Sequence, residues 1–490
     1  MHGGPLMALG GVSKGMGRPL WGRLAGRILG SLAFLWGCEP APTESSAEAP
    51  AARSPDIVLV SVDSLRPDHL GCYGYGRPTS PTIDRLAAEG VRCATAVSTT
   101  SWTLPAHAAM FTGLFDSAHG VVDNGLRLPE ERITIAEILA EAGWRTAAFY
   151  GGPYLDPVYG LDQGFERYES CMSEEVESSH RDVTGPRTVQ AIETWLGESG
   201  ALPDPRPIFL FVHLWDVHHD YIPPSPYAER FDPEYDGDLD ASDLPGNASI
   251  APDMSPRDFQ RLLALYDGEI RFTDENLRRI LDAVERHRGQ RETLLIVTSD
   301  HGEEFFEHGG KGHQRTLFDE VVRVPLLLHW PGRLPAGRVV TDQVRLVDLA
   351  PTLYALVGVV QHPPMQGRDL GPLLRGEPME PAPALLELLV DRNDVRAWRT
   401  ESLKVIDWRH AGVRSAYDLV RDPQEDHPIP ADAPTSRPAI DDMERALETT
   451  SRLGAEAPAG GVRIDADLTR RLGILGYAGD PEPAGARRDK

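Results

Sequence analysis

A chain of 490 residues, 41% apolar and 7% aromatic, is long enough to bury a sizeable core and has the composition of an ordinary globular protein. Acidic residues outnumber basic ones by 74 to 49, a net charge of −25, which excludes the basic footprint of a nucleic-acid binder. The same charge repels polyanions, so an anionic substrate needs a locally positive site, most simply a bound metal. At the N-terminus, Lys14, Arg18, Arg23 and Arg27 lead into the apolar run ILGSLAFLWG and then Cys38. This run is too short to span a bilayer and has the form of a signal peptide's apolar segment.

The ending LWGC resembles the lipobox of bacterial lipoproteins, in which the cysteine is lipidated and becomes the new N-terminus. Residues 1–37 therefore read as a lipoprotein-type signal peptide, with an uncleaved signal anchor as the alternative. Either way the body is exported to the bacterial cell envelope, as a periplasmic protein or one held to the membrane through Cys38. Export places Cys72, Cys93 and Cys171 in an oxidising compartment, where three thiols allow one bridge at most. Cys72–Cys93, flanking one predicted helix, is the expected pair. Residues 38–55 are a tether rich in Pro, Ala, Glu and Ser.

The fold begins with DIVLVSVD, a continuous apolar run that predicts a buried strand of a parallel sheet. SPTIDRLAAEG and ITIAEILAEAG predict helices, each closed by a glycine. WRTAAFY, PIFLFVHL and TLLIVTSD predict further strands. The longest helix is expected over 256–286, where Phe259, Leu262, Leu263, Tyr266, Ile270, Leu277, Ile280, Leu281 and Val284 recur every three or four residues. This alternation indicates an α/β fold, a large mostly parallel sheet flanked by helices, over a catalytic domain spanning 56–385. From 386 to 490 a C-terminal subdomain is expected. Its short segments ELLVD, AWRT, LKVIDW and SAYDLV suit a small antiparallel sheet, and residues 427–460 read as loose.

Ligands in such folds collect at the carboxyl ends of the strands, so polar residues there matter most. Asp63 ends the first strand. Thr103 opens an apolar helical segment after a run of small hydroxylated residues, with Ser101 as its nearby competitor. HLWDVHHDY, residues 213–221, crowds ionisable side chains between a strand and a proline-rich loop. SDHGEEFFEHGGKGH, residues 299–313, holds Asp300, His301, His308, Lys311 and His313. Each group alone reads equally as a helix cap or a solvated turn. Together they form a mixed O/N set for a divalent metal beside a hydroxyl nucleophile at a helix N-terminus. Attack on a tetrahedral oxyanion ester needs such a set, with His or Lys protonating the leaving group.

Beyond residue 55 the chain resembles the sulfatase family of the alkaline phosphatase superfamily over nearly its whole length. DIVLVSVDSLRPDHLGCYGYGRPTSPTIDRLAAEGVRC resembles the family's opening, SDHGEEFFEHG its second metal motif, and FDEVVRVPLLLHWPG the strand after it. LVDLAPTLYALVG and YDLVRDPQED match its C-terminal segments. The departures are informative. Where the family has C-x-P-S-R or S-x-P-S-R, whose first residue becomes formylglycine, this chain has Thr103, Leu104, Pro105, Ala106 and His107. Threonine's methyl blocks that oxidation, so Thr103 acts directly or not at all. The family's Gly-Lys-Trp-His run is absent from AGWRTAAFYGGPY, its Asp-Asp pair is Asp63-Ser64, and His301 stands where many members have asparagine.

The resemblance implies that Asp63, Asp300 and His301 bind the metal, with Thr103 completing the shell. It further implies that His218 contacts the substrate or leaving group and that His313 or Lys311 stands at the family's second basic position; all three, with His107, are the catalytic candidates beside Thr103. A second metal held by Asp216 and His313 is the less favoured extension. The implied activity is metal-dependent hydrolysis of sulfate, phosphate or phosphonate esters through a metal-activated Thr103, with zinc, manganese or calcium as the ion. The alternatives are a cell-envelope transferase of phospho-headgroups and a non-catalytic metal- and anion-binding relative. The expected partner is an anionic ester, not nucleic acid.

Overall fold

DIVLVSVD becomes the middle of the main sheet. In the computed structural model, which describes residues 54–173, 182–198, 204–390 and 393–462, β1 (Asp56–Val62) is buried at every position. Val58, Val60 and Val62 join one apolar core, and Ile57 and Leu59 join the core on the opposite face. With both faces covered, apolar and polar residues have no reason to alternate. The signal segment, Cys38, most of the tether and the last residues of the chain lie outside the described residues.

Seven strands join β1: β2 (Val91–Val97), β3 (Arg145–Tyr150), β4 (Arg167–Ser170), β5 (Ile208–Leu214), β6 (Thr293–Ser299), β7 (Arg323–His329) and β8 (Arg338–Arg345). Their order is β8-β2-β7-β6-β1-β5-β3-β4. β7 runs antiparallel to its neighbours β2 and β6, and the other pairings are parallel. The expected mostly parallel α/β sheet is what the chain forms.

Helices cover both faces. They include α1 (Pro81–Glu89), α2 (Thr103–Thr112), α3 (Ile135–Glu141), α4 (Gly185–Gly197) and α5 (Pro256–Arg288). α5 starts where Ser255 accepts a hydrogen bond from the Asp258 amide and Pro256 fixes the first turn. Its buried Leu262, Tyr266, Ile270, Leu277, Ile280 and Val284 seal the core that contains Val58, Val60 and Val62. α2 is buried at all ten positions. Among the described residues no helix is long and apolar enough to cross a membrane.

A separate sheet follows, with β9 (Ala384–Leu388), β10 (Val395–Arg399), β11 (Leu403–Trp408) and β12 (Val413–Asp418) antiparallel in sequence order. Two expectations fail here and near the start of the fold. Residues 427–460 are not loose, because they contain α6 (Arg437–Glu456). Its Ala439, Ile440, Met443 and Leu447 recur at helical spacing and pack on Leu385, Trp398, Val405 and Ala416, while its acidic residues face outward. Cys72 and Cys93 do not pair, and all three described cysteines are free. Cys93 sits in the core containing Ile57, whereas Cys72 packs against the core on the other side of the sheet.

Candidate active site

Three adjacent strands end in register, with Val62 of β1 opposite Leu214 of β5 and Ser299 of β6. The chain's next residues, Asp63 and Asp300, therefore meet at one sheet edge. β2 ends at the same edge and passes through the buried run Ser98–Trp102 into α2. Trp102, 1% exposed and edge-on to Tyr154 at 5.2 Å, anchors the turn. Thr103 is the first residue of α2, and its Oγ1 lies 3.4 Å from Asp63 Oδ2 and 3.3 Å from His301 Nε2. Pro105 has no N–H, so the amides of Thr103 and Leu104 are the ones this helix end offers to an anion. Ser101, buried in the preceding turn, makes neither contact, its Oγ being without a hydrogen-bond partner; its carbonyl accepts from the Gln314 amide.

Asp63, Asp300 and His301 are each 0% exposed, and one donor atom from each lies within 4.8 Å of the others. His301 Nε2 stands 3.6 Å from Asp63 Oδ1 and 3.5 Å from Asp300 Oδ2. Its Nδ1 donates to the Gly302 carbonyl at 2.9 Å, which turns Nε2 toward the two carboxylates. Donors at about 2.1 Å around a tetrahedral ion stand roughly 3.4 Å apart, so this spacing fits a divalent cation. Asp300 Oδ2 has no hydrogen-bond partner despite its burial, a further sign that a cation belongs there. No arginine or lysine among the described residues pairs with Asp63 or Asp300.

Electrostatics agree. Burial, then the Asp300 carboxylate, raises the Asp63 pKa well above the usual carboxylate range. For Asp300 burial acts the same way, but the imidazoles of His301, His107 and His213 outweigh it and its pKa is lowered. Burial opposes protonation of His301, and the two carboxylates outweigh that and raise its pKa. Without an ion the group thus holds protons that a dication would displace.

A second cluster faces this one. His218, His219 and His313 are buried, each with a ring nitrogen within 4.8 Å of the others'. The His313 ring centroid is 4.3 Å from that of His301 and 4.9 Å from that of His218. His218 stacks on Trp215 at 3.9 Å. His313 Nδ1 contacts Glu303 Oε1 at 3.1 Å, and the Tyr221 hydroxyl donates to Glu303 Oε2 at 2.9 Å. Burial lowers the His313 pKa to about 4 against the pull of Glu303, so its imidazole is neutral at pH 7.

Other expected residues go elsewhere. His107 is committed at both nitrogens, Nδ1 donating to the Thr103 carbonyl at 2.8 Å and Nε2 accepting from Ser61 Oγ at 3.1 Å. Burial lowers its pKa to about 3, so it holds the first turn of α2 against β1 as a neutral ring. Lys311 Nζ donates to the carbonyls of Asn247 and Ile250, at 2.8 and 2.7 Å, and pins that loop. Asp216 is no partner for His313 in a second metal site, because its carboxylate caps α4 by accepting from the amides of Thr184 and Gly185. His308 pairs with Glu320. Two residues the sequence reading passed over stand at the centre: Glu303, behind His313, and His213. The latter opens the quoted run HLWDVHHDY next to the end of a strand, a signal close to the one that singled out Asp63.

A family model described as Sulfatase matches residues 55–359, and one described as N-sulphoglucosamine sulphohydrolase, C-terminal, matches residues 307–452. The chain is 26% identical over 344 residues to the ulvan-active sulfatase of Formosa agariphila, covering 66% of this chain and 65% of that enzyme's length. It is 27% identical over 394 residues to human arylsulfatase A, covering 68% and 70%. The solved phosphonate monoester hydrolase of Agrobacterium radiobacter shares the fold, with a TM-score of 0.67 at 24% identity over 83% of this chain and 96% of that one.

Proposed function

The chain belongs to the sulfatase family of ester hydrolases, and from that premise we propose that it cleaves anionic sulfate, phosphate or phosphonate esters with Thr103 as the nucleophile. The observation that carries this reading is the Thr103 hydroxyl, 3.4 Å from Asp63 and 3.3 Å from His301 at the N-terminus of α2. Asp63, Asp300 and His301 would hold a divalent ion. Bound there, it would neutralise ester charge and lower the pKa of the hydroxyl.

Thr103 Oγ1 points its proton at Asp63 Oδ2, which leaves a lone pair for the ester's central atom. The amides of Thr103 and Leu104 bind a nonbridging oxygen. Attack passes the Thr103 proton to Asp63 Oδ2 and forms the bond from Thr103 Oγ1 to sulfur or phosphorus. The bond to the leaving oxygen breaks, and that oxygen takes a proton from His218 in its imidazolium form. Water then attacks the central atom of the threonyl ester and gives a proton to His313 Nε2, whose neutral ring suits a base. The bond to Thr103 Oγ1 breaks, and Oγ1 recovers its proton from Asp63. Glu303 at His313 Nδ1 stabilises the imidazolium formed. Thr103 lacks formylglycine's route of expelling the anion from a hydrated aldehyde, so its ester must be hydrolysed at the central atom. Phosphorus accepts that attack more readily, which favours phosphodiesters and phosphonates over sulfates. Export through the signal segment, and lipidation of Cys38, complete the proposal and place the substrate in the cell envelope.

The test is turnover of aryl sulfate, phosphate monoester, phosphate diester and phosphonate ester, with and without added divalent ions, beside Thr103→Ala. Ion-dependent turnover that falls at least ~10³-fold in the variant is expected. Turnover of sulfate alone would overturn the preference for phosphorus. No turnover of any ester by ion-loaded protein would remove the hydrolase reading in favour of a transferase or a binding relative.

A further inference from the structure

His213 is the next-to-last residue of β5 and 0% exposed, opposite Ser61 of β1. Its Nδ1 lies 2.7 Å from the Gly151 carbonyl. A carbonyl only accepts, so the proton sits on Nδ1 and Nε2 carries a lone pair. Nε2 has no hydrogen-bond partner and stands 3.3 Å from Asp63 Oδ2, which is also an acceptor. Asp300 Oδ2 is likewise without a hydrogen bond, and one donor atom from each of His213, His107 and Asp300 lies within 4.8 Å of the others. Two acceptors 3.3 Å apart in a buried space call for a positive charge between them, a proton in the ion-free protein and the ion once it is bound.

Ser64 explains why the position is available. It follows Asp63 where the sulfatase pattern has a second aspartate. Its Oγ donates to Asp63 Oδ1 at 2.8 Å and its amide to Asp300 Oδ1 at 3.3 Å, so it braces both carboxylates and offers no ligand of its own. The neighbouring His107 cannot fill the gap, since its Nδ1 donates to the Thr103 carbonyl and its Nε2 is taken up by Ser61 Oγ.

We infer that His213 Nε2 is a ligand of the divalent ion, taking the coordination position that Ser64 leaves open. The donor set is then two imidazoles, two carboxylates and the Thr103 hydroxyl. Calcium prefers an all-oxygen shell, whereas imidazole suits zinc and the later first-row metals, so His213 tilts the site toward such a dication. The inference rests on the ion position proposed above but not on turnover. An ion held by His213 in a protein that cleaves no ester would sustain it and sink only the hydrolase reading.

The test is ion binding by the full chain. Co²⁺ is titrated into ion-free wild type and His213→Gln, with the melting temperature of each ion-free protein as a check on folding. A Co²⁺ Kd at least about tenfold weaker in the variant is expected, with a changed ligand-field spectrum and a smaller preference for Co²⁺ over Ca²⁺. A Kd and spectrum unchanged in a folded variant would overturn the assignment. Anomalous diffraction from Zn²⁺-soaked wild-type crystals decides independently of any variant. A zinc peak about 2.1 Å from His213 Nε2 supports the ligand, and one beyond bonding distance rejects it.

Discussion

Asp63 and Asp300 are both 0% exposed, and among the described residues their neighbours are imidazoles, serines and a hydroxyl, not guanidinium or ammonium groups. Ionising both without a cation costs free energy, which is why burial and Asp300 raise the Asp63 pKa. A pKa raised on folding means stability that is present below the unfolded value and lost as pH rises through the folded one. Ion-free protein is therefore weakened at neutral pH by the group that binds the ion. Replacing Asp63 by Asn should stabilise the ion-free chain by about 1–2 kcal/mol at pH 7, with the gain vanishing toward pH 4. Urea unfolding in chelator at the two pH values measures it. A variant no more stable than wild type at pH 7 would contradict this account of the site's charge.

At the scale of elements, the loop after β6 carries half the site and is pinned from outside it. His308 lies 2.7 Å from Glu320 Oε1 and 3.2 Å from the Glu425 carbonyl, with its ring stacked 3.5 Å from that of Phe318. Burial disfavours the imidazolium, yet Glu320 outweighs it and raises the His308 pKa to about 9. The contribution is thus complete below about pH 6.5, the unperturbed value, and is lost as pH rises through about 9. His308→Gln should cost roughly 1–2 kcal/mol at pH 6, discounted for solvent screening, and almost nothing at pH 10. Equal losses at both pH values would mean packing, not charge, holds the loop. α6 shows the limit of composition at this scale. Its prolines and acids read as a loose segment, but Ala439, Ile440, Met443 and Leu447 form one buried stripe.

Across the whole folded part, the C-terminal sheet is tied to the catalytic sheet by buried charge. Lys404 of β11 is 0% exposed, with Nζ 2.9 Å from Asp319 Oδ1 and 2.9 Å from Glu425 Oε1. Arg399 of β10 pairs with Asp319 Oδ2 at 2.7 Å, and Asp319 opens the turn that leads into β7. Arg399 and Lys404 outweigh burial and hold the Asp319 carboxyl far below the usual range, so its contribution is present at neutral pH and lost in acid. Burial raises the Glu425 pKa to about 7 even beside Lys404, so Lys404→Met should cost about 3–5 kcal/mol above pH 7 and less as pH falls through about 7. Calorimetry of wild type and variant across that range checks both the size and the sign.

Much of this was legible in the residues alone. Unbroken apolar runs, helical periodicity and polar residues at strand ends are local patterns, and they specified the parallel sheet and the meeting of Asp63, Thr103, Asp300 and His301. Ring direction and hydrogen-bond partner are not local. His213 is aimed by the Gly151 carbonyl 62 residues away, and Lys311 is drawn off by the Asn247 carbonyl at a separation of 64. Asp216 caps a helix that begins 31 residues earlier, and the two cysteines are parted by the sheet between them. The sequence by itself determined which strands end in carboxylates and which hydroxyl opens the helix. Only the packed structure decided which nitrogen keeps a lone pair, because that depends on the carbonyl that folding brings to the other side of the ring.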